Sequence, residues 1–150
     1  MSSTAVRDAI KNFLTANAPS ETLLDLTAQF QEIQDFIAGN GLQPSDDWLG
    51  IAFVGETEVP VTFPATNDQG KYRELGAFEL IIVSEAKLGV GNALLTRGET
   101  LRDLLRGRRI GGVIIESMTP LNFDSGASLR FEGGYMSASF LVSYEYDFDL

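Results

Sequence analysis

The side chains that most often carry chemistry are missing from this chain. It has no histidine and no cysteine. That excludes imidazole acid–base work, Ser-His triads, thiol nucleophiles, disulfides and metals held by histidine or thiolate. Carboxylates and arginines remain. Glu145, Asp147 and Asp149 alternate along one run, and three carboxylates on one strand face could hold Mg²⁺ or Ca²⁺ through oxygen. No DxDxDG-like loop accompanies them, so a solvated acidic face is the better reading. Asp46-Asp47 reads as a turn before a strand, and no spacing marks two carboxylates facing each other across a cleft. Gly89-Val90-Gly91 lacks the third glycine, the lysine and the Ser/Thr of a phosphate loop.

The arginines are more telling. Five of the eleven basic residues, Arg97, Arg102, Arg106, Arg108 and Arg109, lie in the stretch GVGNALLTRGETLRDLLRGRRIGGVIIES. Three readings stay open at this level. The set can be a solvated helix face with Glu99 and Asp103 as i, i+3 and i, i+4 partners. It can meet an acidic neighbouring subunit, since the chain carries a net charge of −10. It can meet nucleic acid, which that net charge disfavours.

The elements that position these residues follow from periodicity. Ser2, Ser3 and Thr4 offer capping hydroxyls, and Val6, Ile10, Phe13 and Leu14 predict a helix over 4–16, stopped at Pro19. Leu23, Leu26, Phe30, Ile33 and Phe36/Ile37 predict a second helix over 20–38. Trp48–Val54 reads as a buried strand, and Glu58–Phe63 as an edge strand or arm demoted by Pro60. Residues 65–75, ATNDQGKYREL, read as a mobile loop, giving an arm and loop over 56–75 that carries Glu56, Glu58, Lys71 and Arg73. Gly76–Ala86 is a strand. Asn92 is placed to cap the next helix, whose stripe is Leu94, Leu101, Leu104 and Leu105. Gly98 within it calls for a close backbone contact, and Gly107 for a left-handed C′ cap. Gly112–Ser117 and Ala127–Glu132 read as strands. In the closing strand Met136, Ala138, Phe140, Val142, Tyr144, Tyr146 and Phe148 share one face, with a wet face opposite.

Helices and strands in this order predict the α+β class: a mostly antiparallel sheet of four to six strands with two or three helices packed on one face. A length of 150 residues suits a single domain over 1–150 that can bury roughly 70% of its unfolded surface. No apolar run reaches the ~20 residues of a membrane span, and the N-terminus has no signal architecture, so the expectation is a soluble intracellular protein.

The order of these segments resembles that of the tail terminator proteins of long-tailed bacteriophages. The resemblance rests on VRDAIKNFL, WLGIAFVG, GAFELIIVSEA, GNALLTRGETLRDLLRGRRIGGVII and GGYMSASFLVSYEYDF, and covers 4–16 and 44–148. Many such proteins cross the region 20–43 in a shorter extended segment, where a full helix is read here. The resemblance implies a virion structural protein without catalysis or cofactor. It forms a ring, typically a homohexamer, that caps the head-proximal end of the tail tube and stops its polymerisation. The ring provides the head–tail joining surface and is assembled in the host cytoplasm. Its partners would be itself, the tail tube protein and the head–tail connector, with DNA passing through the lumen without specific binding. Arg97, Arg102, Arg106, Arg108, Arg109, Glu56, Glu58, Lys71 and Arg73 would then make subunit or tube contacts, with Glu145 and Asp147 facing lumen or solvent. The alternatives are a head–tail connector or tube subunit, a small-molecule-binding α+β domain with a pocket under loop 65–75, and a hydrolase using a metal on the C-terminal carboxylates.

Overall fold

The fold is taken from a computed structural model, which describes residues 3–27, 39, 41, 47–60, 71–85, 89–123 and 135–149. It is of the α+β class. Helix α1 spans Thr4–Asn17. The Ser3 hydroxyl accepts the Val6 N–H at 3.4 Å and caps it, while Val6, Ile10 and Leu14 are buried at helical spacing. The helix ends before Pro19, with the Ala18 N–H donating to the Leu14 carbonyl.

Strand β1 (Leu23–Asp25) runs parallel to β2 (Trp48–Pro60), pairing Leu23–Asp25 with Leu49–Ile51. This corrects the start of the helix expected over 20–38. Leu23 and Leu26 fit a helical spacing, but the buried pair is Leu24 and Leu26, two apart, as in a strand. Gly50 makes room for it: a Cβ there would stand 2.6 Å from Leu26 Cδ1. Residues 28–38 of that expected helix lie outside the described residues.

β2 and β3 (Lys71–Glu85) form a long antiparallel pair from Trp48↔Val83 to Pro60↔Tyr72, with a bulge between Val54 and Glu56. The mobile arm and loop expected over 56–75 is therefore replaced at both ends by paired strand, and 61–70 lie outside the described residues. Helix α2 spans Val90–Leu105 and begins at Gly89, whose φ of 82° suits glycine. Asn92 sits inside the first turn instead of capping it. The buried stripe is Val90, Leu94, Gly98, Leu101 and Leu105, so Gly98 replaces Leu104 in the expected set. A Cβ on Gly98 would lie 2.5 Å from Leu121 Cδ1, the close contact its presence called for. Gly107 has φ 65° just past the helix end.

The motif GRRIGG folds as a tight hairpin. β4 (Arg109–Ile110) turns through Gly111 (φ 54°) and Gly112 (φ 88°) into β5 (Val113–Met118), with Ile110 opposite Val113. Positive φ at both central positions is the two-residue turn that matches strand twist. β6 (Tyr135–Asp149) lies between β3 and β5, and the six strands are ordered β1-β2-β3-β6-β5-β4. Among the described strands only β1–β2 is parallel. The strand expected over Ala127–Glu132 lies outside the described residues.

Alternate positions of β2, β3, β5 and β6, among them Ile51, Leu80, Phe140 and Val113, form one core cluster with Val6, Ile10 and Leu14 of α1 and Leu94, Leu101 and Leu105 of α2. At the Trp48 end the opposite positions Trp48, Ile81 and Val83 are buried as well. Ser137 and Ser139 are buried with them, so the wet face expected along β6 is dry in its first half. The buried positions run out toward the other end. Among the described side chains, none is buried at 54–60, 71–73 or 145–149.

The hairpin turn yields a direct check. Gly112→Val places a β-branched residue at φ 88°, with the Tyr146 ring 3.3 Å from the new Cβ. It should cost about 1–2 kcal/mol in denaturant unfolding. Gly111→Asn, at φ 54°, should cost less than Gly112→Val, because asparagine tolerates that region, with its Cβ held 3.2 Å from the Ala9 Cβ.

Candidate functional site

The charged residues singled out from the sequence divide into three groups. Arg97 stands alone, turned inward. Its Nε and Nη2 donate to the two carboxylate oxygens of Glu21, Nη1 donates to the Val83 carbonyl and the Ser84 hydroxyl, and Nη2 also reaches the Trp48 carbonyl. Every N–H of the guanidinium thus has a partner within the chain. The side chains of Arg97 and Glu21 are 18% and 13% exposed. Arg97 follows Leu94 by three residues and precedes Leu101 by four, so it stands on the apolar face of α2. That spacing was the available signal for an inward arginine.

The second group lines the end of α2 and β4. Arg102 pairs with Glu99 at 3.2 Å and Arg106 with Asp103, both at i, i+3 as the solvated-face reading had it. Arg108 donates from Nε to the Leu104 carbonyl at 3.0 Å, satisfying one of the last carbonyls of the helix. Arg108 and Arg109 are exposed.

The third group is brought together by strand register. β3 pairs Arg73 with Asp147 and Leu75 with Glu145. Arg73 makes a two-pronged contact with Asp147 at 2.7 and 3.0 Å and lies 3.5 Å from Glu145. Residues assigned separately to an arm and to a lumen or solvent face are thus one charge lattice. Asp147 is held below the usual aspartate range, first by that hydrogen bond from Arg73, and Arg73 is raised in turn. Glu116, at the β5 bulge, hydrogen-bonds Glu145, and this raises its carboxyl above the usual range. Lys71 is exposed on β3, and Glu58 is exposed on β2 opposite Glu74. Glu56 occupies β2 opposite Gly76.

Two polar sites were not legible in the sequence. Glu74, 1% exposed, accepts the Tyr144 hydroxyl at 2.9 Å and the Ser3 N–H at 3.0 Å. A carboxylate there faces the positive end of α1 and ties the helix to β3. Asp25 accepts Arg7 Nη2 and Lys11 Nζ at 3.2 Å and the Thr27 N–H at 2.9 Å, and Arg7 also lies over the Phe53 ring at 5.7 Å. Burial works against the charge on Asp25, but its bonds to Thr27 and Lys11 prevail and lower its carboxyl below the usual range.

A groove of about 570 Å³ runs between the end of α1 and α2, lined among others by Asn17, Ser20, Thr96 and Thr100, with Glu21 and Arg97 at its floor. It lies away from the expected pocket under 65–75, and its charged pair is already satisfied internally. Among the described residues no group of three acidic side chains is placed to hold a metal ion. No helix among them is long and apolar enough to cross a membrane.

No family model and no curated protein matches the sequence. A solved structure that carries no descriptive name aligns with 97% of this chain and 95% of its own, at 16% identity and a TM-score of 0.51. At that identity the likeness is one of fold.

Two measurements probe these contacts. Arg97→Met should lose about 3 kcal/mol in denaturant unfolding, because it strands a buried carboxylate. Arg97→Met with Glu21→Leu should recover part of that loss. For Asp25 the folded-state value is lowered, so its stabilisation is present above the unfolded value and fades as pH falls below about 4. Asp25→Asn should be less stable at neutral pH and lose less on acidification, read from thermal midpoints between pH 7 and 3.

Proposed function

We propose that this chain is a structural protein of a phage tail, forming a ring that caps the head-proximal end of the tail tube, stops its polymerisation and offers the surface on which the head joins. Its place would be the virion, with assembly in the host cytoplasm, and its partners further copies of itself, the tube protein and the connector. In this reading the helices cover one face of the sheet.

The observation that carries the proposal is the far end of the sheet. There the outer lengths of β2, β3 and β6 pair with one another, yet among the described side chains of 54–60, 71–77 and 145–149 only Glu74 is buried. Strands that extend past their own core, surfaced with an ion-pair lattice and with exposed Val54 and Leu75, suit an element that packs on a neighbour. An overall charge of −10 suits a passage that DNA must cross without adhering. The element order matches the segments on which the resemblance to tail terminators rests.

A connector or tube subunit would use the same kind of surface at another place in the same assembly. Adding the purified protein to polymerising tail tubes separates the readings. A terminator shortens the tubes and leaves a ring on one end in electron micrographs. Tubes of unchanged length with bare ends reject the terminator role.

A further inference from the structure

In this chain 21 acidic residues face 11 basic ones, so a cation finds a carboxylate easily. Arg7, Lys11, Arg73, Arg97, Arg102 and Arg106 each do so within the chain. Arg108 and Arg109 make no such contact among the described residues: both are exposed, and Arg109 acts on Asp147 only from beyond ion-pair distance. Arg108 precedes β4 and Arg109 opens it, and β4 is the outermost described strand on one side of the sheet.

The other side is acidic. β1 covers β2 only at residues 49–51. Among the described residues, no strand pairs with the outer side of β2 from Val54 to Pro60, where Glu56 and Glu58 stand. A bulge, a proline and charges along such an edge discourage an ordinary strand from adding to it. A basic edge is a different matter, since unlike charge turns the same features into selection.

The two edges lie at one height. In register, Thr57 stands opposite Leu75, Leu75 opposite Glu145, Glu145 opposite Ile114, and Ile114 opposite Arg109. Thr57, between Glu56 and Glu58, and Arg109 are therefore the two ends of a single cross-strand row, about 19 Å long at the usual strand spacing. Two acidic edges repel, and so do two basic ones. Only a head-to-tail contact brings unlike edges together. With both at the same height, such a contact adds little offset along the strands, and it makes a ring where the rotation between neighbours closes.

We propose that a second copy of this chain docks here, the Arg108–Arg109 edge of one subunit on the Glu56–Glu58 edge of the next. The inference rests on the ring reading above and names the surfaces that would close the ring.

The experiment uses two full-length variants, Arg108→Glu with Arg109→Glu, and Glu56→Arg with Glu58→Arg, each checked for folding by circular dichroism. Self-association is read by sedimentation and native mass spectrometry, with and without tail tubes. Each variant alone should associate at least ten-fold more weakly than wild type, and an equimolar mixture should restore assembly with the two alternating. If a reversed variant does not fold, the glutamine variants at the same positions take its place, with weakened association expected. Variants that assemble like wild type overturn the edge contact and leave the ring reading standing. A wild-type protein that stays monomeric even with tube ends present overturns the ring reading, and the edge contact with it. Loss of duplex DNA binding in the Arg108→Glu, Arg109→Glu variant, with self-association intact, assigns the arginines to nucleic acid and also overturns the proposal.

Discussion

Arg97 is the joint on which the rest of the structure depends. One guanidinium links helix α2 to Glu21 in the segment after α1, to the first residue of β2 and to the far end of β3. These are the places where the chain leaves one layer and enters another. Ends of strands and connecting segments carry backbone carbonyls without ladder partners, and a planar donor with five N–H groups satisfies several at once. A charge held that deep is tolerable only because Glu21 is held with it. The apolar stripe of α2 could seat the helix at several rotations; this polar contact selects one.

That choice also shapes what the outside of α2 can do. With Arg97 turned inward, the basic residues left at the surface are shifted to the helix end and the following hairpin. Arg102 and Arg106 are matched locally by Glu99 and Asp103; the Arg106–Asp103 pair is exposed, and such pairs contribute little to stability. On the sheet, strand register does the same work, setting Arg73 against Asp147 and Glu145. The described polar contacts are thus accounted for by construction of the fold and its surfaces, with the buried Glu74 doubly bonded as a strut between α1, β3 and β6.

The features that could be read from the residues alone are those with local causes. The Ser3 cap, the Val6–Ile10–Leu14 stripe, the Gly98 contact, the Gly107 stop and the alternation of β6 each need only a few neighbouring residues and a period. What escaped depends on partners far away. β1 is three residues long, too short to show alternation, and its pairing is decided by Gly50 and Leu26 meeting across two strands. The length of β3 was hidden because Lys71–Leu75 is polar, and it is strand only because β2 and β6 pair with it on both sides. This end of β3, where the candidate surface lies, therefore reads as loop from the sequence alone, while Glu58–Phe63 reads as an edge strand or arm.

The position of β6 bears on how the molecule comes into being. Among the described strands it comes last in the chain, yet it lies inside the sheet, between β3 and β5. Until it is in place, the β1–β2–β3 unit and the β4–β5 hairpin have no ladder between them, and the apolar faces of Phe78, Leu80 and Ile82 lack their neighbours. Pairings so distant in sequence form late and slowly, and they leave a growing chain with two unpaired inner edges. The joining of these two parts into one sheet therefore waits on β6.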